Sequence, residues 1–103
     1  MNILFTCKEL TTTSVIINCD FDWSQDDLPL MIVQYFQQYP CLKKVEWSQG
    51  ADLEAVRFKW QHHDFSLNFE CYSQSIWLEC PEQNGTALLA DLYQIMNQEI
   101  AQR

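Results

Sequence analysis

The chain has 103 residues, 48% hydrophobic and 14% aromatic, with fourteen acidic against six basic side chains and a formal net charge of −8. That apolar content excludes intrinsic disorder, and the length suffices for one domain, residues 1–103, that buries a core without disulfides or metal. Only Lys43-Lys44 and the Arg57/Lys59 pair cluster positive charge, which argues against direct binding to nucleic-acid phosphates or to an anionic membrane.

The N-terminal segment MNILFTCKELTTTS lacks a basic region, and its apolar run of three residues is too short for a signal peptide or a membrane span. Cysteines 7, 19, 41, 71 and 80 are odd in number and form no CxxC, so reduced thiols and a cytoplasmic location are expected.

Residues 2–8 alternate, with Ile3, Phe5 and Cys7 on one side and Leu4, Thr6 and Lys8 on the other. A polar turn from Glu9 to Thr12 leads to a β-branched run over residues 13–19, so the two segments predict an antiparallel hairpin. In residues 20–40 a proline fits only the first helical turn, so Pro29 places the cap at Asp26 or Asp27 rather than Ser24. Ser24 to Asp27 then forms a preceding tight turn. Leu28, Ile32, Tyr35, Phe36 and Tyr39 fall on one helical face, and Pro40 ends the helix. Asp20, Asp22, Asp26 and Asp27 suggest a cation loop, but the glycine and distal glutamate of calcium loops are missing. Acids before a helix N-terminus offset its dipole, so no metal is expected there.

Residues 43–47 predict a short strand, Ser48-Gln49-Gly50-Ala51 a turn, and Leu53–Pro81 three further strands. Leu88, Leu89, Leu92, Ile95, Met96 and Ile100 form a helical stripe, broken by Glu99, with Thr86 as its expected cap. The order ββ-α-ββββ-α predicts an α+β two-layer sandwich: an antiparallel sheet of five or six strands with two helices on one face.

Within Leu53–Pro81 the alternation directs Val56, Phe58, Trp60, Phe65, Leu67, Phe69, Cys71, Ile76, Leu78 and Cys80 inward. A four-residue turn at Gln61–Asp64 sets Trp60 opposite Phe65 and Val56 opposite Phe69. A turn at Ser73-Gln74 sets Cys71 opposite Ile76 and Leu67 opposite Cys80. The outward rows are then Arg57, Asn68 and Glu79, beside Ala55, Glu70 and Trp77. A tryptophan on such a face either packs against Glu70 and the stem of Arg57 or awaits a partner.

The segment LNFECYSQSIWLE (67–79), preceded by Gly50-Ala51-Asp52 and a strand, resembles a family of short proteobacterial proteins catalogued as domain of unknown function 3630. The resemblance rests on Glu70, Tyr72, Ser73, Ser75, Ile76 and Trp77 within residues 50–79, and it implies no activity.

No catalytic constellation is present. His62-His63-Asp64 lies in a turn whose neighbouring histidines diverge, no Gly-x-Ser-x-Gly elbow holds Ser66, and Cys71 and Cys80 face the core. The histidines and cysteines lack the paired spacing of zinc sites, and no Gly-rich loop cradles a phosphate. Neither an enzyme nor a cofactor is expected. The expected function is a protein-protein interaction module that uses the outward face: Trp77, Glu70, Tyr72, Arg57, Asn68 and Glu79. An acidic inhibitor or nucleic-acid mimic for a basic partner, with Asp20, Asp22, Asp26, Asp27 and Asp52 as its surface, and a thiol or metal-binding protein are the alternatives. The partner is another protein or a second copy joined through an edge strand, either the first or that at 43–47.

Overall fold

The computed structural model describes residues 3–101, with side chains described through residue 98. The chain runs β1 (Phe5–Leu10), β2 (Val15–Cys19), a 3-10 turn (Gln25–Asp27), α1 (Leu28–Gln38), β3 (Lys43–Ser48), β4 (Leu53–Trp60), β5 (His63–Glu70), β6 (Ser75–Glu79) and α2 (Gly85–Ala101). The strands form one antiparallel sheet in the order β1-β2-β6-β5-β4-β3, so the fold is the α+β arrangement that the element order predicts.

The core lies between the sheet and its two helices. Val15, Ile17, Val56, Phe58, Phe65, Leu67, Phe69, Ile76 and Leu78 project from the inner face and are buried. Tyr35 is the hub of α1. Its ring meets Phe5 edge-on at 5.3 Å and Phe36 at 5.2 Å, and its hydroxyl reaches Met96 Sδ on α2 at 3.8 Å. Phe36 in turn packs on Phe58 of β4, which stacks on Phe65 of β5 at 5.5 Å. Such aromatic pairs add roughly 0.5–1.5 kcal/mol each beyond burial. Met31 and Gln38 join the buried face of α1 beside the five residues the periodicity selects. On α2, Leu88, Leu89, Leu92 and Met96 are buried, whereas Glu99 and Ile100 lie outside the described side chains.

Pro29 sits in the first turn of α1, whose cap is Asp27. The Asp27 carboxylate accepts the Ser24 N–H at 2.9 Å across the 3-10 turn, which uses the orphan donors where the chain enters the helix. Thr86 does not cap α2. The helix begins at Gly85, and the Thr86 hydroxyl instead donates to Thr12 O at 2.9 Å, fixing the helix start to the β1–β2 turn.

Several boundaries and both registers differ from expectation. β1 extends to Leu10 through a bulge at Lys8, and the turn falls at Thr11–Ser14, where the Thr11 hydroxyl accepts N–H groups from Thr13 and Ser14. The β4–β5 turn is two residues, Gln61-His62, both at positive φ (51° and 70°), so Trp60 pairs with His63, Phe58 with Phe65 and Val56 with Leu67. The β5–β6 connection takes in Cys71 to Gln74, so Phe69 pairs with Ile76 and Leu67 with Leu78. Each pairing slides by two residues, which leaves every inward residue inward. Cys71 and Cys80 are half-buried at the rim of the core rather than within it.

The two sheet edges are finished differently. On β1 the Gln38 Nε2 donates to Phe5 O at 2.6 Å, its Oε1 accepts the Phe5 N–H at 3.0 Å, and Gln34 Oε1 accepts the Ile3 N–H at 2.5 Å. β3 carries exposed Lys43, Lys44 and Glu46 and a bulge at Val45, devices that discourage pairing without blocking it.

Candidate interaction face and the Glu54 cleft

With both helices on one side, the outer sheet face has no covering element among the described residues. The observed registers set its rows. Glu46, Arg57, Ser66 and Glu79 align in one row; Ser48, Ala55, Asn68, Trp77 and Ile16 align in the next; Leu53, Glu70 and Ser75 form a third. The expected rows are therefore corrected: Asn68 stands beside Trp77 and Ala55, not between Arg57 and Glu79, and Glu70 belongs to the row of Leu53.

Trp77 is half-buried, and its indole N–H donates to Glu79 Oε1. Arg57 does not cover it, because the guanidinium pairs with Glu46 at 3.3 Å. Asn68 is only 7% exposed, with its amide donating to Ser66 Oγ at 3.1 Å, so it organises the face rather than presenting itself. The loop after β5 carries Tyr72, 91% exposed, and Leu53, paired with Glu70 at the end of β5, is half-exposed. Glu70 holds that loop: it accepts from the Ser73 hydroxyl and from the N–H groups of Ser73 and Tyr72. Those bonds, the Ser73 hydroxyl first, keep its carboxyl below the usual carboxylate range. Asp64 pairs with Lys59 at 2.9 Å. Glu9, Glu70 and Glu79 remain without a cationic partner among the described residues, so the face around Trp77 is negative.

Only His62 of the expected His62-His63-Asp64 turn lies in the turn; His63 and Asp64 begin β5, paired with Trp60 and Lys59. His62 is exposed in the turn, and His63 Nδ1 meets Glu82 at 2.9 Å. All five cysteines are free thiols, and burial pushes Cys7 up to about 12. No group of three His, Cys, Asp or Glu side chains among the described residues is arranged to hold a metal.

One buried carboxylate escaped the sequence reasoning. Glu54 has the same strand parity as Val56, Phe58 and Trp60, so the alternation that defines β4 turns it to the inner face, where it is 3% exposed. Parity was the signal available. Its Oε1 accepts the Trp47 indole N–H and its Oε2 the Gln25 amide, both at 2.8 Å. Trp47 and Gln25, with Asp26, Pro29, Gln49 and Gly50, line a cleft of about 270 Å³ that ends on Glu54. A Cβ at Gly50 would collide with the Leu53 carbonyl oxygen, so the turn leading into the cleft requires glycine.

A small two-layer α+β protein with one bare, acid-flanked sheet face is what these features define. The chain belongs to the family described as "Protein of unknown function (DUF3630)", whose model matches residues 6–94. The match takes in β1, β2 and α1, which the resemblance over residues 50–79 left out. Neither a curated protein nor a solved structure matches the chain.

Proposed function

We propose that the protein is a non-catalytic interaction module that docks a partner on the outer sheet face, with Trp77 as its centre and Tyr72 and Leu53 at one end. The observation that carries this function is the bare face itself: half-buried Trp77 stands on the side of the sheet opposite both helices, paired across the strands with Asn68, and Tyr72 is 91% exposed in the loop that follows β5. Tryptophan and tyrosine supply large contact area at low entropic cost and recur as binding anchors. Glu9, Glu70 and Glu79, without a cationic partner among the described residues, complement a partner whose docking surface carries lysine or arginine around an apolar centre. Recognition of a basic partner thus takes in the chemistry of an acidic inhibitor, for which the net charge of −8 speaks. The free thiols suit a reducing compartment, and we assign the module to the cytoplasm on that ground. No helix among the described residues is long and apolar enough to cross a membrane.

The test uses a partner captured by the native chain, identified and then purified. Its binding should weaken about tenfold or more in Trp77→Ala and fall as salt rises, while the melting temperature of the variant drops only by the few degrees that a loss of about 1 kcal/mol implies. Equal binding by Trp77→Ala, or a partner with an acidic docking surface, overturns the proposal.

A further inference from the structure

The Glu54 cleft lies on the inner side of the sheet, away from the Trp77 face, and poses a separate question. A carboxylate removed from water is costly unless its charge is balanced. Glu54 is 3% exposed, and both of its partners, Trp47 and Gln25, are neutral donors. No lysine, arginine or histidine pairs with it among the described residues. Each carboxylate oxygen accepts one N–H and keeps acceptor capacity for another donor. The cleft adjoining it has an indole wall from Trp47 and a second acid, Asp26, exposed at its lining.

We propose that this cleft receives an organic cation, an ammonium or guanidinium group on a stem no bulkier than a lysine or arginine side chain. The volume of about 270 Å³ has room for one such group with its stem. A charged donor there completes the acceptor set of Glu54 and supplies the missing charge, Asp26 adds a second attraction, and the Trp47 indole lends apolar surface to the stem. An inorganic divalent ion fits less well, because it needs several oxygen ligands and two lone pairs of Glu54 are already engaged by N–H groups. The same cation chemistry can arrive on a free amine or on a partner's side chain.

The experiment follows the Trp47 indole N–H resonance of the intact chain at low salt. The probes are n-butylammonium, n-propylguanidinium, its neutral isostere n-propylurea, and the peptide acetyl-Gly-Arg-Gly-amide. A saturable shift with the cations and none with the urea is expected. Glu54→Gln should weaken the response roughly tenfold, and Asp26→Asn, an exposed change that leaves the core intact, roughly threefold. Saturation by the peptide assigns the site to a partner's side chain; saturation by the small cations alone assigns it to a free amine. Equal shifts with the urea, no saturable shift with any cation, or unchanged affinity in Asp26→Asn overturns the proposal. That last arm holds even if Glu54→Gln fails to fold. Trp77 variants should not alter the titration, which separates its outcome from that of the outer face.

Discussion

The side-chain amide of Gln38 pairs with both backbone groups of Phe5, accepting its N–H at 3.0 Å and donating to its carbonyl at 2.6 Å. A peptide unit of a neighbouring strand makes the same pair of bonds, so one residue of α1 stands in for a seventh strand at β1. Both partners are buried, Gln38 at 5% exposure and Phe5 at 0%. Gln38→Ala therefore leaves the buried Phe5 N–H without a partner, while the Tyr39 hydroxyl at 3.3 Å still donates to the carbonyl, at a cost of about 1–3 kcal/mol. Urea unfolding should show that loss, and exchange of the Phe5 amide should accelerate beyond what the global loss explains.

The tryptophans should separate sharply in their contribution to stability. Trp23 is 3% exposed and packs edge-on against Phe69 at 5.9 Å, whereas Trp77 is half-buried on the outer face. Trp23→Ala should cost about 3–5 kcal/mol and Trp77→Ala about 1 kcal/mol. Thermal melts of the two variants side by side give the comparison, and equal losses would place Trp77 in the core.

The Gln61-His62 turn holds two side-chain-bearing residues at φ of 51° and 70°, a region that glycine and asparagine occupy at lower cost. Replacing the pair with Asn-Gly retains the two-residue hairpin that β4 and β5 require and relieves that strain. The double variant should gain about 1 kcal/mol, read as a raised melting temperature.

Acid should weaken the fold through identified carboxyls. The Lys59 hydrogen bond lowers Asp64, the Ser73 hydroxyl lowers Glu70, and the Asp64 N–H followed by His63 lowers Glu82. A lowered carboxyl stabilises the fold above its unfolded value, 4.5 for the glutamates, and loses that contribution as pH falls through the lower folded value. Melting temperature should decline below pH 4.5, and Glu82→Gln should flatten part of that decline. An acid limb of unchanged slope in Glu82→Gln would remove Glu82 from the list.

Thiol chemistry gives a further check. Burial raises Cys7 to about 12 and is the first cause of the upward shifts at Cys19, Cys71 and Cys80. Thiolates are thus scarce near neutral pH. Ellman's reagent should count five thiols in denaturant, with Cys7 the slowest of those four in the native chain. Rapid native labelling of Cys7 would contradict its burial.

Much of this architecture was legible because strand side chains alternate. Phe58, Leu67 and Ile76 could be assigned to the core from parity alone, but their partners could not, since a slide of two residues preserves the face. The turn that decides the β4–β5 register, Gln61-His62, carries neither the glycine nor the asparagine that usually marks such a hairpin. Arg57 was legible as outward-facing, yet its partner Glu46 depends on where β3 docks, which local pattern does not encode. The Gln38–Phe5 pair joins residues 33 apart in the chain and exists only once α1 lies along β1. Thr86 has the side chain of a cap, but the nearby Thr12 carbonyl takes its hydroxyl.

The unequal finish of the two sheet edges also sets a limit on how copies of the chain can join. A strand approaching β1 must first displace Gln34 and Gln38 from Ile3 and Phe5. A strand approaching β3 meets lysines and a bulge but, among the described residues, no side chain bonded across its backbone. Two copies joined β3 to β3 have each used the edge that is open, and what they present outward is the capped β1 on both ends. In such a pair the glutamines of α1 would hinder a further strand at the Ile3 and Phe5 end of β1 as well as support that strand.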